Sequence, residues 1–426
     1  MSLEWNDVVL KDVLSEKGYI RGPFGSALKR AEMKSEGIPV YEQQNAIYDN
    51  RIFRYYIDEE KYQSLKRFTT YTDDLIISCS GTVGKVSIIK HDDPKGIISQ
   101  ALLTLRVNKD LILPEFLKYF FSSYEGYNSL VSRSTGSVQV NISKRAVIEE
   151  IPLKLPPLDV QRKIVHYLSL IDKKIETNKK INKNLEQLMK CIFDDWFVNF
   201  NYSEDISFKS SELGEIPSNW NVKKLSDVLI TLESGKRPKG GISDIEDGIP
   251  SIGAENILGL GKFNYSKNKL ISHEFFSTLK KGVIQDKDVL LYKDGAQLGR
   301  KSLFMKGFPF DICCINEHVF RLQTNDEINQ FYLYLWLDQE VMTNEIINLN
   351  SNSAQPGINQ NDVKSLPILV PELKIISKFN KIISPMMNQI FDNALEINKL
   401  TKLRDTLLPK LMSGEIDVSK INCDLE

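Results

Sequence analysis

The chain contains 426 residues, more than the roughly 100 to 200 residues of a usual single domain, so at least two hydrophobic cores are expected. An apolar content of 42% and a charged content of 26% are typical of a folded globular protein and exclude a chain that is disordered throughout. The formal net charge of −1 excludes a uniformly basic surface. Any nucleic-acid binding must therefore depend on local clusters of Lys and Arg.

Cysteine, histidine and hydropathy patterns predict where in the cell the protein lies and argue against a zinc site and a membrane-spanning segment. The 5 cysteines include no CxxC pair and the 4 histidines lack metal-ligand spacing, so a structural zinc site is not expected. No run of about 18 apolar residues occurs, and the first residues lack the basic and apolar regions of a signal peptide. We therefore expect a cytoplasmic protein.

Short apolar runs bounded by glycine, proline and polar residues predict a mixed domain in the first half of the chain. The predicted elements are, in chain order, a helix over 8–14, a glycine-rich loop over 22–26, strands over 74–78, 85–89 and 102–107, a helix from Pro114 to Ser122 and a strand over 152–155. Proline at position 114 favours a helix start because its missing N–H has no partner there anyway.

A hydrophobic seam with alternating spacings of four and three residues occurs twice, which predicts two long helices of the coiled-coil type. The second copy lies 215 residues after the first (379 − 164 = 215). The seam positions are Ile164, Leu168, Ile171, Ile175, Asn178, Asn182, Leu185, Met189, Ile192 and Trp196, then Phe379, Ile383, Met386, Ile390, Asn393, Ile397, Leu400, Arg404, Leu407 and Leu411. In an antiparallel pair Asn182 is predicted to face Asn393, with a solvated edge as the alternative.

The repeat extends beyond the helices and predicts an internally duplicated α+β fold. Ile151 and Pro152 correspond to Leu366 and Pro367, and farther upstream the order of elements survives a drift of a few residues. The predicted architecture is two mixed recognition domains separated by two long helices that form an antiparallel coiled coil with pseudo-two-fold symmetry. The predicted boundaries are 1–155 for domain 1, 156–200 for the first helix, 201–217 for a linker, 218–370 for domain 2, 371–413 for the second helix and 414–426 for a tail.

Motifs that carry catalytic chemistry are missing from the sequence. It contains no strict P-loop, no GxGxxG after a strand and no GxSxG elbow. Asp362, Glu372 and Lys374 only loosely imitate a nuclease set, and a chance match is the better explanation. A duplicated domain on a rigid spacer instead suits a binder with two recognition sites at a fixed separation.

Several segments resemble the specificity subunits of type I restriction-modification systems. The linker Ser211–Trp220 with Val222–Val228 looks like the family's opening of a second recognition domain, and Leu407–Ile416 resembles its ending of the second helix. Shorter similarities lie at Leu155–Leu158, Gly136–Ser143 and Gln355–Asn359. One departure is that Asp159-Val160-Gln161 corresponds to Glu372-Leu373-Lys374, which lacks the Gln and leaves the role of that side chain in doubt.

The resemblance implies a DNA-addressing subunit without catalytic residues or cofactors of its own. Each recognition domain would read one half of a split, asymmetric double-stranded DNA target. Two modification subunits would dock on the helices and restriction subunits would join them, so that the methyl donor, ATP and Mg²⁺ belong to the partners. The rival hypotheses are a coiled-coil scaffold without sequence-specific DNA binding and a stand-alone nuclease.

Residue chemistry indicates which side chains would contact DNA. Glycine turns and basic loops suit phosphate contact, with simple turn geometry or a solvated surface as the alternative. This set is Ser80, Gly81, Thr82, Lys85, Lys236, Arg237, Lys293, Gln297, Arg300 and Lys301. Amide, guanidinium and carboxylate groups suit base edges. The base-edge set, with one neighbouring serine, is Gln43, Gln44, Asn45, Arg133, Ser134, Gln139, Glu255, Asn256, Asn352 and Gln355.

Two further predictions follow from the helices. An apolar helix end suggests a docking surface for the modification subunit, with ordinary core packing as the alternative. Its residues are Trp196, Phe197, Leu407, Leu411 and Met412. A seam of about 50 Å, at about 3.4 Å per base pair, predicts half-site centres roughly 10 to 15 base pairs apart. Because the two domains differ outside their framework, the target is expected not to be a palindrome.

Overall fold

The structure is a computed structural model that describes residues 5–133, 140–202, 207–239, 241, 245–350, 357–419 and 421. The chain divides into two compact units, of which unit 1 is formed from two separate parts of the sequence and unit 2 from one continuous part. Unit 1 contains Met1–Lys173 and Thr401–Glu426, and unit 2 contains Lys174–Leu400. No helix among the described residues is both long enough and apolar enough to span a membrane.

Unit 1 has short strands and helices followed by the start of a long helix. The strands are Asn6–Val9 (β1), Leu14–Arg21 (β2), Ile38–Tyr41 (β3), Tyr56–Ile57 (β4), Leu75–Ser78 (β5), Val86–Ile88 (β6), Ile97–Ile98 (β7), Leu102–Val107 (β8), Val131–Arg133 (β9), Val140–Ile142 (β10) and Pro152–Leu155 (β11). The helices are Gln43–Ile47 (α1), Glu59–Ser64 (α2), Pro114–Ser122 (α3), Tyr124–Leu130 (α4), Arg145–Glu149 (α5) and Leu158–Phe197 (α6), whose later part belongs to unit 2.

Unit 2 also combines short strands and helices with a long helix. The strands are Phe208–Ser211 (β12), Gly214–Pro217 (β13), Asn221–Lys224 (β14), Leu229–Ser234 (β15), Ile249–Ile252 (β16), Leu270–Ile271 (β17), Asp288–Tyr292 (β18), Lys301–Phe304 (β19), Cys314–Ile315 (β20), Val319–Thr324 (β21) and Pro367–Val370 (β22). The helices are Leu225–Val228 (α7), His273–Ser277 (α8), Gln330–Asp338 (α9), Glu340–Asn348 (α10), Gln360–Ser365 (α11) and Leu373–Met412 (α12), whose end belongs to unit 1.

Sheet topology shows the duplication directly. The four-stranded sheet β2-β8-β5-β6 of unit 1 has its counterpart in β15-β21-β18-β19 of unit 2. The three-stranded sheet β4-β3-β7 likewise matches β17-β16-β20, and in both the last pairing is parallel. The pair β1-β11 matches β14-β22. The predicted helix over 8–14 is wrong, because β1 pairs with β11 and only a short 3₁₀ helix, Leu10–Val13, follows it.

The two long helices each contain 40 residues, and apolar seam residues bury them against the sheets. In unit 1 the core includes Ile164 and Leu168 of α6 and Leu408 and Leu411 of α12. In unit 2 it includes Met189, Phe193 and Phe197 of α6 and Phe379, Ile383 and Ile390 of α12. Seam residues are therefore shared between helix pairing and domain packing.

Buried asparagines mark the pairing of α6 with α12 in unit 2. The Asn393 side-chain amide donates to Asn182 Oδ1 at 2.8 Å, and Asn178 donates to Glu396 Oε2 at 2.7 Å. Since residue numbers rise along α6 as they fall along α12, the helices are antiparallel there. All three asparagines are less than 9% exposed, so the predicted Asn182–Asn393 contact is confirmed and the solvated-edge alternative is wrong.

Candidate nucleic-acid interface

Four connections of unit 1 meet on one surface, which we call loop face 1 and define as residues 22–25, 42–45, 79–85 and 99–101. The Ser80 N–H donates to Gln43 Oε1 at 3.1 Å, which joins α1 to the turn after β5. The Cys79 N–H donates to the Ala101 carbonyl at 2.9 Å, which joins that turn to the β7–β8 connection. The Gly22 N–H donates to the Leu102 carbonyl at 3.0 Å. Backbone hydrogen bonds thus hold segments from distant parts of the sequence together.

The equivalent connections of unit 2 form loop face 2, defined as residues 235–239, 253–256, 293–300 and 316–318. The Lys293 N–H donates to the His318 carbonyl at 3.1 Å, and the Gly235 N–H donates to the Asn316 carbonyl at 3.2 Å. The Asn316 N–H in turn donates to the Ile252 carbonyl at 3.0 Å. The same strand ends are therefore joined in both units, although their side chains differ.

One glycine in each face permits a close approach that a side chain would prevent. A Cβ added to Gly22 would lie 1.9 Å from the Ser99 carbonyl oxygen, and one added to Gly235 would lie 1.7 Å from the Ile315 carbonyl oxygen. Both distances are far below van der Waals contact. The loop after β2 or β15 is consequently packed against the connection that precedes β8 or β21.

The predicted phosphate-contacting residues of unit 1 lie together and are exposed. Ser80, Gly81, Thr82 and Lys85 all face solvent in the turn between β5 and β6. Ser78 organises this turn from below, because its hydroxyl donates to the Thr82 carbonyl at 2.6 Å and accepts from the Lys85 N–H at 3.0 Å. The arrangement leaves the Ser80 and Thr82 hydroxyls and the Lys85 ammonium group on the exposed surface of the turn, where a ligand can reach them.

The predicted phosphate-contacting residues of unit 2 do not all share one environment. Lys236, Arg237, Gln297 and Arg300 are exposed on loop face 2. Lys293 is half-buried, and its ammonium group lies 5.3 Å from the centre of the Phe320 ring.

Lys301 does not belong to this interface, so its prediction is corrected. It is 5% exposed, and its ammonium group donates to Thr343 Oγ1. Burial lowers the pKa of Lys301 to about 8. Lys301 is the first residue of β19, in which every residue is buried, whereas Arg300 stands in the exposed turn just before that strand.

Two predicted base-edge residues also turn out to be internal. Asn45 is fully buried, with its Oδ1 accepting from the Glu42 N–H at 2.7 Å and its amide donating to the Ile52 carbonyl at 3.1 Å. Asn256, its counterpart, is 2% exposed. Both predictions are corrected, because the Asn45 amide is occupied in organising its own loop and the Asn256 side chain is enclosed by protein, so that neither can reach a base.

The remaining base-edge candidates of the described chain stay accessible. Gln43 and Gln44 are half-exposed on α1, and Gln44 donates to the Ile52 carbonyl at 3.1 Å. Glu255 pairs with Lys269 at 2.7 Å. Burial raises the pKa of Glu255, but the hydrogen bond from Lys269, a backbone hydrogen bond and the charges of Lys269 and Lys267 together outweigh it, so the net pKa is lowered. Ser134, Gln139, Asn352, Gln355 and the side chain of Arg133 lie outside the described residues.

A charged cluster on loop face 2 was missed by sequence reasoning. His318 Nδ1 lies 2.9 Å and 3.0 Å from the two carboxylate oxygens of Asp294. Its Nε2 lies 3.4 Å from Glu317 Oε1, and Arg237 Nη1 lies 3.6 Å from the same oxygen. The signal that identifies Glu317 is the alignment of β7 with β20, which places Gln100 and Glu317 at equivalent positions. Insertions in the loops obscure this alignment in the sequence.

The predicted docking residues are mostly core. Phe197 is 2% exposed, Leu411 is 3% exposed and Met412 is 9% exposed, and each packs within the core of its unit. Trp196 and Leu407 are partly buried and pack against the same cores. The docking prediction is therefore corrected in favour of core packing for Phe197, Leu411 and Met412, because an aromatic or aliphatic side chain without solvent contact offers no surface to a partner.

Sequence comparison identifies the family. The model of the type I restriction modification DNA specificity domain matches residues 3–187 and again residues 217–405. The chain belongs to the type I specificity subunits. The double match confirms both the predicted resemblance and the predicted duplication. Across the described residues, no group of three or more His, Cys, Asp or Glu side chains is arranged to hold a metal ion.

Curated relatives support the same family. The MjaIX specificity subunit of Methanocaldococcus jannaschii is 26% identical over 317 residues, covering 74% of this chain and 72% of the relative. The EcoBI specificity subunit of Escherichia coli is 23% identical over 415 residues, covering 92% of this chain and 83% of the relative. The crystal structure of an S subunit from M. genitalium is similar to this specificity subunit, with a TM-score of 0.58, 16% identity and 96% coverage of both chains. The predicted α+β class is thus confirmed.

Proposed function

We propose that this specificity subunit directs a modification complex to a split, asymmetric DNA sequence, with loop face 1 reading one half and loop face 2 the other. The observation that carries the proposal is the repetition of the loop face. Four equivalent connections converge in each unit, and the Cys79–Ala101 backbone hydrogen bond of unit 1 recurs as Lys293–His318 in unit 2, while the exposed side chains differ. A repeated framework with different side chains is what two different half-sites require.

Loop face chemistry supports DNA as the ligand. Each face combines exposed cations with hydroxyls, amides or carboxylates, so that phosphates and base edges both find suitable partners. Loop face 1 provides Lys85 beside Ser80 and Thr82, and loop face 2 provides Lys236, Arg237 and Arg300. The net charge of −1 does not oppose this proposal, because these cations place positive charge on the exposed loops whatever the total charge of the chain is.

The long helices are proposed to set the separation of the half-sites and to dock two modification subunits. A 40-residue helix is about 60 Å long at about 1.5 Å per residue. The Asn182–Asn393 hydrogen bond favours one register of α6 against α12 in unit 2, since a shift of either helix would leave a buried amide without its partner. The apolar seam of about 50 Å is shorter than the whole helix, and at about 3.4 Å per base pair it corresponds to roughly 10 to 15 base pairs between half-site centres.

The chemistry is proposed to belong to partner subunits. The modification subunits would bind the methyl donor, and restriction subunits, which use ATP and Mg²⁺, would complete the assembly. This chain would supply neither catalytic residues nor a cofactor site. The cytoplasm stays the predicted compartment.

The three residues on which the nuclease hypothesis rests, Asp362, Glu372 and Lys374, each make a contact that suits a structural role. Asp362 caps α11, because its carboxylate accepts from the Asn359 N–H at 2.7 Å. Glu372 and Lys374 form an ion pair with each other at 2.7 Å. Replacing Glu372 with Gln should abolish activity in a nuclease and leave DNA recognition nearly intact in a specificity subunit.

Methylome sequencing tests the proposal against the scaffold alternative. A host would express this chain with the modification subunit of its own system, and a matched host would express the modification subunit alone. Adenine methylation at one split, asymmetric sequence only in the first host is the expected result. A soluble complex that adds no new methylated motif would instead support the scaffold.

A further inference from the structure

Two pairs of solvent-accessible positions are structurally equivalent in the loop faces, three of them exposed and the fourth, Glu317, half-buried. β3 pairs in parallel with β7, and β16 pairs in parallel with β20, so the connections after β7 and β20 correspond and Gln100 aligns with Glu317. Gly22 and Gly235 each lie against that connection. Counting two residues on from each glycine aligns Phe24 with Arg237. The pair Phe24 and Gln100 therefore occupies the place that Arg237 and Glu317 occupy in unit 2.

In unit 2, Glu317 holds the Arg237 side chain in place while much of that side chain stays accessible to solvent. Glu317 Oε1 lies 3.6 Å from the Arg237 guanidinium, while 54% of the Arg237 side chain remains exposed. His318, which is itself paired with Asp294, lies 3.4 Å from the same Glu317 oxygen. An arginine guanidinium binds O6 and N7 of guanine, and a carboxylate accepts from the N4 amine of cytosine. Together these groups match the major-groove edge of a G·C pair.

The unit 1 pair has the opposite chemistry. Phe24 is 60% exposed, and Gln100 is exposed on the neighbouring connection. A Cβ on Gly22 would lie 3.0 Å from the Gln100 Cα, which shows how closely the two loops approach. A glutamine amide binds N6 and N7 of adenine, and an apolar side chain contacts the methyl group of thymine. These groups match the major-groove edge of an A·T pair.

We propose that these equivalent positions determine one base pair in each half-site, with Phe24 and Gln100 selecting A·T and Arg237 and Glu317 selecting G·C. Glu317 has a second role as a positioning residue for Arg237. The inference rests on the proposed function, because it needs each loop face to contact a half-site. It adds the residues, the base pairs and the reason that the two halves of the target differ.

Reciprocal exchange of the two pairs tests the inference. One variant carries Phe24→Arg with Gln100→Glu, and the other carries Arg237→Phe with Glu317→Gln. Each is expressed with the modification subunit, and the methylated motif is sequenced. Each exchange is expected to alter one position of one half-site, with at least about a tenfold change in preference between the two base pairs. Matched controls on exposed helix surfaces are Gln63→Glu and Glu274→Gln, which should leave the motif unchanged.

The outcomes separate this inference from the proposed function. Absence of any split motif with the unaltered chain would overturn the proposed function itself. A split motif that both exchanges leave unchanged would overturn only the inference. If an exchange abolishes methylation, the single variants Arg237→Lys and Gln100→Ala are measured by methylation of duplexes carrying each base pair in turn. Loss confined to one position supports the inference, and equal loss on every duplex contradicts it.

Discussion

Units 1 and 2 each contain a buried aspartate at an equivalent position, but the arginine that pairs with it comes from a different position in each unit. Asp74 and Asp288 are each fully buried at the start of equivalent strands, and each accepts from the backbone N–H three residues earlier. Arg106 forms two hydrogen bonds with Asp74, at 2.7 Å and 2.8 Å. In unit 2 the guanidinium comes from Arg321.

The aspartates occupy equivalent positions in the two units, but the arginines that pair with them do not. In the strand registers, Leu75 faces Leu105 and Val289 faces Leu322, so Arg106 aligns with Gln323 and Arg321 aligns with Thr104. The two arginines are thus two residues apart on the same side of equivalent strands. Burial raises the pKa of both aspartates and the arginine opposes that rise. The framework needs a cation near this carboxylate, and either position provides it.

Removing each arginine should break this equivalence. The side chain of Arg321 is 6% exposed and that of Arg106 is 33% exposed. Arg321→Ala leaves the fully buried Asp288, as well as the partly exposed Glu233, without its cation, so we expect a loss of about 3 to 5 kcal/mol of stability in unit 2. Arg106→Ala should cost less, roughly 1 to 3 kcal/mol, because water reaches its site. Hydrogen exchange in β21 and β8 measures the two losses, and equal losses would contradict this account.

Lys301 offers a comparison at a single position, since its counterpart in unit 1 is Val86. The pKa of Lys301 is about 8 when folded and 10.5 in its ordinary state. The unfolded chain therefore binds more protons between these values, and the stability of unit 2 rises with pH across that window. Below pH 8 the cost is fully present, on the order of 3 kcal/mol.

Lys301→Val should remove this pH dependence. The variant is expected to be more stable than the unaltered chain at pH 7, by less than the full cost because the hydrogen bond to Thr343 is lost with it. Its advantage should shrink as the pH approaches 10.5. Chemical denaturation at several pH values measures the difference. An advantage that does not vary with pH would mean that packing, and not charge, limits this site.

The helices were predictable from the sequence because their signal is local. A four-and-three spacing identifies a buried helix face without knowledge of the rest of the fold, and the 215-residue repeat then aligns the helices and predicts the Asn182–Asn393 contact. The same alignment survives in the strands, where insertions are few. Long regular elements can therefore be predicted from the local residue pattern alone.

The loop faces were only partly predictable, because they depend on contacts between distant segments. The turn at Ser80–Lys85 was found from its glycines, but Gln100 and Glu317 stand in connections without a distinctive pattern. Burial was the second obstacle. Asn45 and Lys301 have the residue types of a DNA contact, and only the folded structure shows that each faces inward.

The Asn182–Asn393 hydrogen bond predicts that the two side chains contribute to the free energy of unfolding as a pair. Asn393→Leu leaves Asn182 Oδ1 without its donor in a buried place, which should cost about 1 to 3 kcal/mol. The double variant with Asn182→Leu should recover most of this loss, since two apolar residues can pack in the seam. A double-mutant cycle by chemical denaturation gives the coupling. Strictly additive effects would show that the hydrogen bond contributes nothing to pairing.

The smallest predicted effect distinguishes neighbouring cations on loop face 2. Lys236 is exposed and, within the described part of the chain, forms no ion pair, whereas Arg237 lies beside Glu317. A lysine that contacts only phosphate contributes equally to every sequence and to the salt dependence of binding. Lys236→Ala should weaken binding of the complex uniformly across duplexes and reduce the slope of log affinity against log salt by about 1. Arg237→Ala should instead weaken binding mainly to duplexes with the preferred base pair. If Lys236→Ala changed base preference, Lys236 would itself contact a base edge. The assignment of phosphate contact to Lys236 and base contact to Arg237 would then be wrong.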